Sequence, residues 1–157
     1  MSSENASEIL VRGARALAHS ESLGSSLDAL LAAVAEQLDV ESAVVVVDGP
    51  EQLLIVASVG LEEPALGGLT QAMRNPGHPI VRTFSDPVSA FDVLPSVPGG
   101  PALRSHLPLI VTRDGPNTVL GVLALAHPRP MEPEPRRLLG AVADLAAIAV
   151  ERHRASR

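Results

Sequence analysis

Apolar and polar residues follow two different rhythms along this chain, and the places where the rhythm changes mark its elements. Near the start Leu10, Ala14 and Leu17 recur at helical spacing behind Asn5 and Glu8, a pair with N-cap character, which predicts a first helix. Gly24 separates it from a second. There Ser25-Ser26-Leu27-Asp28 has the form of a capping box, and Leu27, Leu30, Leu31, Val34 and Leu38 make a wide apolar stripe. At residue 43 the period shortens. Ala43–Val47 and Leu53–Val59 are β-branched runs around Asp48-Gly49-Pro50, which predicts a hairpin. A second hairpin is predicted where the apolar runs of 105–112 and 118–127 flank Arg113-Asp114-Gly115-Pro116-Asn117. The helical period then returns with Leu138, Val142, Leu145 and Ala149 in one row and Leu139, Ala146 and Val150 beside it. Glu132 and Glu134 stand at the positive end of that helix, and Arg152, His153 and Arg154 at its negative end.

Residues 61–101 keep no sustained rhythm. Half of the fourteen prolines fall between Pro64 and Pro101. A short helix is expected near Leu66–Arg74, and a short edge strand over His78–Phe84. The stretch 85–101 reads as a long connection, and Val88, Phe91, Val93, Leu94 and Val97 give it the apolar content of an ordered lid. The order helix, helix, hairpin, loop-rich middle, hairpin, long helix is an α+β pattern around an antiparallel sheet.

Composition narrows the function classes. A chain of 157 residues, 46% hydrophobic and 19% charged, is one globular domain in its balance of residues. The net charge is −6, and the twelve basic residues, all arginine, are scattered, so no nucleic-acid-binding face is expected. No apolar run approaches the ~18 residues of a membrane span. The opening MSSENASEIL lacks the basic region of a secretory signal, and a cytoplasmic location is expected. The chain has no cysteine, which removes disulfides, thiolate nucleophiles and cysteine-held metals. Phe84 and Phe91 are the only aromatic residues, so the core must be aliphatic, with Leu123 and Leu125 inside the sheet.

The Ser25–Leu38 helix leading into "SAVVVVD", the "LRSHLPLIV" strand, the "VLGVLALAH" strand with its central Gly121, and the terminal "RRLLGAVADLAAIAVE" helix together resemble a GAF domain, a sensor module related to PAS domains. The resemblance covers roughly residues 20–153, leaving residues 1–20 as a separate N-terminal helix and 21–157 as the GAF-like domain. It implies an α+β fold with an antiparallel sheet of five or six strands, the N- and C-terminal helices on one face and a loop-covered pocket on the other. It also implies a signalling module, expected to be stand-alone and bacterial, that binds an unidentified small molecule. With no Gly-rich phosphate loop, nucleophile elbow or paired-carboxylate arrangement in the chain, no enzymatic activity is expected. Family subtypes that work through cysteine, the methionine sulfoxide reductases and the bilin-attaching domains, do not fit a chain without one. The lysine-containing cyclic-nucleotide signature does not fit a chain without lysine.

The candidate site gathers where charged and titratable residues meet a strand. On an unbroken strand Arg104, His106, Pro108 and Ile110 share one face, and Leu103, Ser105, Leu107 and Leu109 the other; Pro108 leaves the register beyond it open. The resemblance implies a pocket under the 78–106 segment, with Arg104, Ser105, His106, His78, Arg82, Phe84, Phe91 and Asp92 as its candidate ligand-binding residues. Arg104 suits an anionic group, Ser105 offers a hydroxyl, and His106 a titratable donor or acceptor. In a second reading Arg104 and His106 bond backbone groups of the 85–101 loop and hold it in place. A third makes His78, His106 and His127, near the ends of three predicted strands, ligands of haem or a metal, with Asp86 or Asp92 completing the set. No HxH or HExxH spacing supports that third reading, and no cofactor is assigned. The chain also admits a ligand-free interaction module, its pocket filled by Phe84 and Phe91. In either case a homodimer is expected through residues 4–18 and 138–153, since the terminal helices carry more apolar surface than one sheet face needs.

Overall fold

The two β-branched runs and the two later apolar runs do pair, and they join into one sheet. In the computed structural model, which describes residues 7–12, 22–94, 102–112 and 117–155, β1 (Ser42–Asp48) turns back as β2 (Leu53–Val59). β4 (Leu103–Val111) pairs along its length with β5 (Thr118–His127). β1 lies antiparallel against β5, with Val45 opposite Leu123, and so fuses the two hairpins. A four-residue edge strand, β3 (Ala90–Val93), completes a five-stranded antiparallel sheet of order β2-β1-β5-β4-β3.

Gly121 sits at the centre of this sheet for a steric reason. A Cβ there would run into the Val46 carbonyl oxygen of β1 and crowd Leu109 of β4. Gly60, which ends β2, adopts a φ of +78° that glycine enters without steric cost. The free edge of β2 is partly closed by a helix: Asp28 Oδ1 accepts the Ser58 backbone N–H at 3.1 Å.

One face of the sheet carries the long helices. Helical residues 7–12 (α1), α2 (Leu23–Gln37) and α5 (Pro133–Ala155) pack on Val45, Leu107, Leu109, Leu123 and Leu125. Leu123 and Leu125 lie in this core, where the apolar run places them. At roughly 25 cal/mol per Å² of apolar surface, each fully buried leucine here contributes about 1.5–3 kcal/mol. The other face carries two short helices, α3 (Glu63–Ala72) and α4 (Pro79–Ser85). Met73 and Ile80 pack there on Val44, Val46, Val122 and Ala124.

Four local expectations are corrected. The N-cap of α2 is Ser22, whose side chain accepts from the Ser25 N–H, so Gly24 lies inside the first turn and Asp28 serves the β2 edge instead of a capping box. His78–Phe84 is helical rather than an edge strand. Pro79 presets the first helical φ, the His78 ring accepts from the Ile80 N–H, and the Thr83 hydroxyl donates to the Pro79 carbonyl. The 85–101 stretch holds the strand β3, with one extra residue between its two pairings, Ala90 to His106 and Val93 to Arg104. The face opposite the long helices is therefore covered by two helices as well as by loops. Asn5 and residues 95–101 lie outside the described residues. In α1, Ile9 is buried within the main core and Leu10 packs against it, so part of the surface expected to pair two copies is used inside one chain.

Candidate functional site

The period of two in β4 decides which side chains share a face. Leu107 and Leu109 point into the core under the long helices. His106, cross-strand from Ala124, therefore points to the α3/α4 face, and Arg104 shares it. His106 is 5% exposed, and among the described residues its ring has no hydrogen-bond partner. Burial is the main cause that lowers its pKa to about 4, and the neighbouring His78 and Arg104 add to the effect. His78 stands at the start of α4 and is itself lowered by burial. Its Nδ1 accepts the Ile80 N–H at 3.2 Å, which puts its own proton on Nε2 and leaves that nitrogen a free donor. Arg82 follows one helical turn along α4, exposed; neither it nor Arg104 forms an ion pair among the described residues.

The floor of this face is small and apolar: Val44, Val46, Val122 and Ala124. Its cover is loose. α3 has no buried residue, and a recess lies on each side of it. One, of about 450 Å³, runs between α3 and β2, from Asp28 to Thr70. The other, of about 520 Å³, opens between the β1–β2 turn and Met73, Arg74, Val81 and Phe84. This second recess lies toward Asp48, whereas His106 belongs to the row of Val44; four strand residues separate those rows, roughly 13 Å. A recess of mixed lining and a donor-rich corner thus occupy opposite ends of one face.

The other candidate residues are built into a structural knot across the sheet. Ser105 and His127, both fully buried, meet at 2.7 Å between Oγ and Nε2. His127 Nδ1 lies 2.7 Å from the Arg129 carbonyl, which can only accept, so Nδ1 carries the proton and the Ser105 hydroxyl donates to Nε2. Ser105 Oγ accepts in turn from the Asp92 N–H at 3.3 Å. Asp92 has a φ of +59°, uncommon for a residue with a side chain. Its carboxylate accepts the Met131 N–H at 2.9 Å and an Arg136 N–H at 2.6 Å. The Arg136 guanidinium also stacks 4.9 Å from the Phe91 ring centroid and donates to the Met131 carbonyl. β3 is thereby tied to the first turn of α5.

The eight candidate residues divide accordingly. His78, Arg82, Phe84, Arg104 and His106 belong to the α3/α4 side, and Phe91, Asp92 and Ser105 to the knot. The sheet also separates His127 from His78 and His106, so the three histidines do not converge. Among the described residues no group of three metal-ligating side chains is assembled. Met73, Val81 and the β1–β2 turn escape the sequence reading; the turn signal at Asp48-Gly49-Pro50 was visible, but not what packs near it.

A five-stranded antiparallel sheet with long helices on one face and a loosely covered apolar floor on the other defines a small α+β domain. The model of the GAF domain matches residues 22–152, and the chain belongs to that family. Solved structures with the same fold include the GAF domain from Acinetobacter phosphoenolpyruvate-protein phosphotransferase, at 18% identity and a TM-score of 0.78, covering 99% of this chain and 98% of that one. The second GAF domain of DevS from Mycobacterium smegmatis shares 24% identity with a TM-score of 0.64, over 86% and 95% of the two chains. Free methionine-R-sulfoxide reductase from Neisseria meningitidis, solved with its substrate, shares 14% identity with a TM-score of 0.71, over 100% and 96%. At these identities the likeness is one of fold. No curated protein matches the chain.

Proposed function

We propose that this GAF domain is a non-enzymatic sensing module that binds a small molecule on the sheet face beneath the 78–106 segment, with α3 and α4 as its cover. The observation that carries the reading is the mismatch between floor and lid: Val44, Val46, Val122 and Ala124 are buried, yet α3 has no buried residue and a recess on either side. Each recess has several hundred Å³ and a mixed lining, with Leu53, Ile55 and Leu66 beside Glu63 and Thr70 in one and Met73, Val81 and Phe84 beside Asp48 and Arg74 in the other, which offers a small molecule both apolar and polar contacts. The reductase activity of one structural neighbour does not transfer with the fold. The described Ser–His pair, Ser105 with His127, faces away from both recesses and is fully buried. Exposed Ile148 on α5 supports a second part of the reading, that two copies pair through the terminal helix.

The test is native mass spectrometry of the freshly purified protein, followed by hydrogen exchange with and without the molecule it retains or a compound selected from a metabolite library. Protection concentrated in 63–85 supports the reading. Protection elsewhere only, or no bound compound from either source, refutes it.

A further inference from the structure

The α4–β4 corner is built almost entirely of hydrogen-bond donors. Arg104 has only donors, and the tautomer of His78 fixed by the Ile80 N–H leaves Nε2–H as its free group. His106, nineteen-twentieths buried, points to this face with no hydrogen-bond partner among the described residues. Arg82 adds a further cation one turn from His78, and neither arginine is ion-paired within the described chain. The groups that act electrostatically on His106 are His78 and Arg104, both of basic type, with no carboxylate among them. In a chain of net charge −6, the corner around His106 collects donors and cations, and no carboxylate acts on His106 itself. The His106 ring forms no hydrogen bond among the described residues, and because no fully enclosed side-chain nitrogen there lacks a partner, its nitrogens keep contact with solvent at this corner and are open to a ligand.

From this geometry we infer that the corner formed by Arg104, His78 and His106 binds the anionic group of the ligand, a carboxylate or a phosphate. The inference rests on the sensing reading and specifies the class of molecule sensed. The planar guanidinium of Arg104 matches two oxygens of either group, and the His78 Nε2–H supplies a donor. The neutral His106 ring supplies another donor at the buried end when its proton sits on the nitrogen facing the anion. The apolar remainder of the ligand would extend toward the recess at the β1–β2 turn, which requires Met73 and Ile80 to move off the buried floor of Val44 and Val46.

The experiment titrates inorganic phosphate and, separately, succinate into the full chain at constant ionic strength set with chloride. Side-chain nitrogen resonances of the histidines are followed by NMR. Saturable shifts of His78 and His106, with His127 unmoved, are expected from at least one anion. A response to phosphate alone assigns a phosphorylated ligand, and to succinate alone a carboxylate. Arg104→Gln, at an exposed position, is expected to weaken the response at least tenfold, and Arg137→Gln on the surface of α5 to leave it unchanged. A linear, non-saturating response, or equal affinity in the Arg104→Gln protein, overturns the assignment. A retained neutral molecule that protects 63–85 while neither anion moves the rings overturns it too, and leaves the sensing reading intact. If nothing is retained and no anion responds, both fall.

Discussion

His106 shows how much a single buried side chain can impose on a small domain. The pKa lies near 4 in the folded chain against 6.5 for a free histidine, chiefly because burial disfavours the charged ring and secondarily because His78 and Arg104 repel it. The unfolded chain therefore binds more protons than the folded one between those values. Stability is complete above about pH 6.5 and declines as the pH falls toward 4, by about 3 kcal/mol. Urea unfolding of the wild type and of His106→Asn at pH 7 and pH 4.5 measures this directly. The variant is expected to lose most of the difference, and parallel pH profiles would show that the ring does not titrate as its surroundings dictate. Gly121 is a second residue with a sharp prediction. Because a Cβ there meets the Val46 carbonyl and the Leu109 side chain, Gly121→Ala is expected to cost about 1–3 kcal/mol in chemical denaturation. A loss within a few tenths of zero would mean that β1 and β5 can separate at their centre without penalty.

At the scale of elements, α3 is the part least committed to the fold. Gly67 and Gly68 sit side by side in its middle, and a Cβ at either position meets nothing within 4 Å. Helix-interior glycines cost roughly 1 kcal/mol each relative to alanine, and here no close packing accounts for them. Gly67→Ala combined with Gly68→Ala is expected to slow amide exchange across 63–72 by at least about tenfold and to raise global stability by about 1–2 kcal/mol. Unaltered exchange would show that the contacts of α3 with β2, and not its glycines, set its opening. The elements also differ in how plainly the sequence carries them. Both hairpins combine continuous apolar runs with strong turn residues, and the strands of both pair. α4 eludes that logic because "HPIVRTF" is rich in β-branched residues, while its helical start depends on Pro79 and on a histidine ring acting as the cap. β3 has only four residues, an extra residue between its pairings, and a left-handed Asp92, so no period exists to be read. The face shared by Arg104 and His106 follows from alternation alone. That Ser105 and Asp92 belong to a knot around Arg136 depends on residues up to 44 positions apart, which no local pattern encodes.

At the scale of the whole molecule, the terminal helices carry the remaining question of assembly. The described part of α1 commits Ile9 and Leu10 to the chain's own core, and Arg12 pairs with Glu36 of α2 at 2.8 Å. That removes much of the apolar surface which the first helix offered to a second copy. On α5, Leu138, Leu139, Val142, Ala146 and Val150 are likewise buried. What is left is an outer row at i, i+4 and i+7: Ala141 and Leu145 partly covered, and Ile148, 47% exposed. Val11 of α1 is exposed to a similar degree, at 51%. A row of one small and two larger aliphatic side chains on a 23-residue helix permits close approach of an identical helix about a twofold axis, at the ~8–10 Å separation of packed helices. The expected outcome is a homodimer of twice 16.3 kDa by light scattering at tens of micromolar, reduced to the monomer mass by Ile148→Glu. Because Ile148 is not a core residue, the variant is expected to keep its circular dichroism spectrum and melting temperature at protein concentrations where the wild type is itself monomeric. A wild type that scatters as a monomer excludes the dimer, and a dimer indifferent to Ile148→Glu moves the interface off this row. Loss of the dimer in Val11→Glu but not in Ile148→Glu would place the interface on α1, whose outward surface carries the exposed Val11.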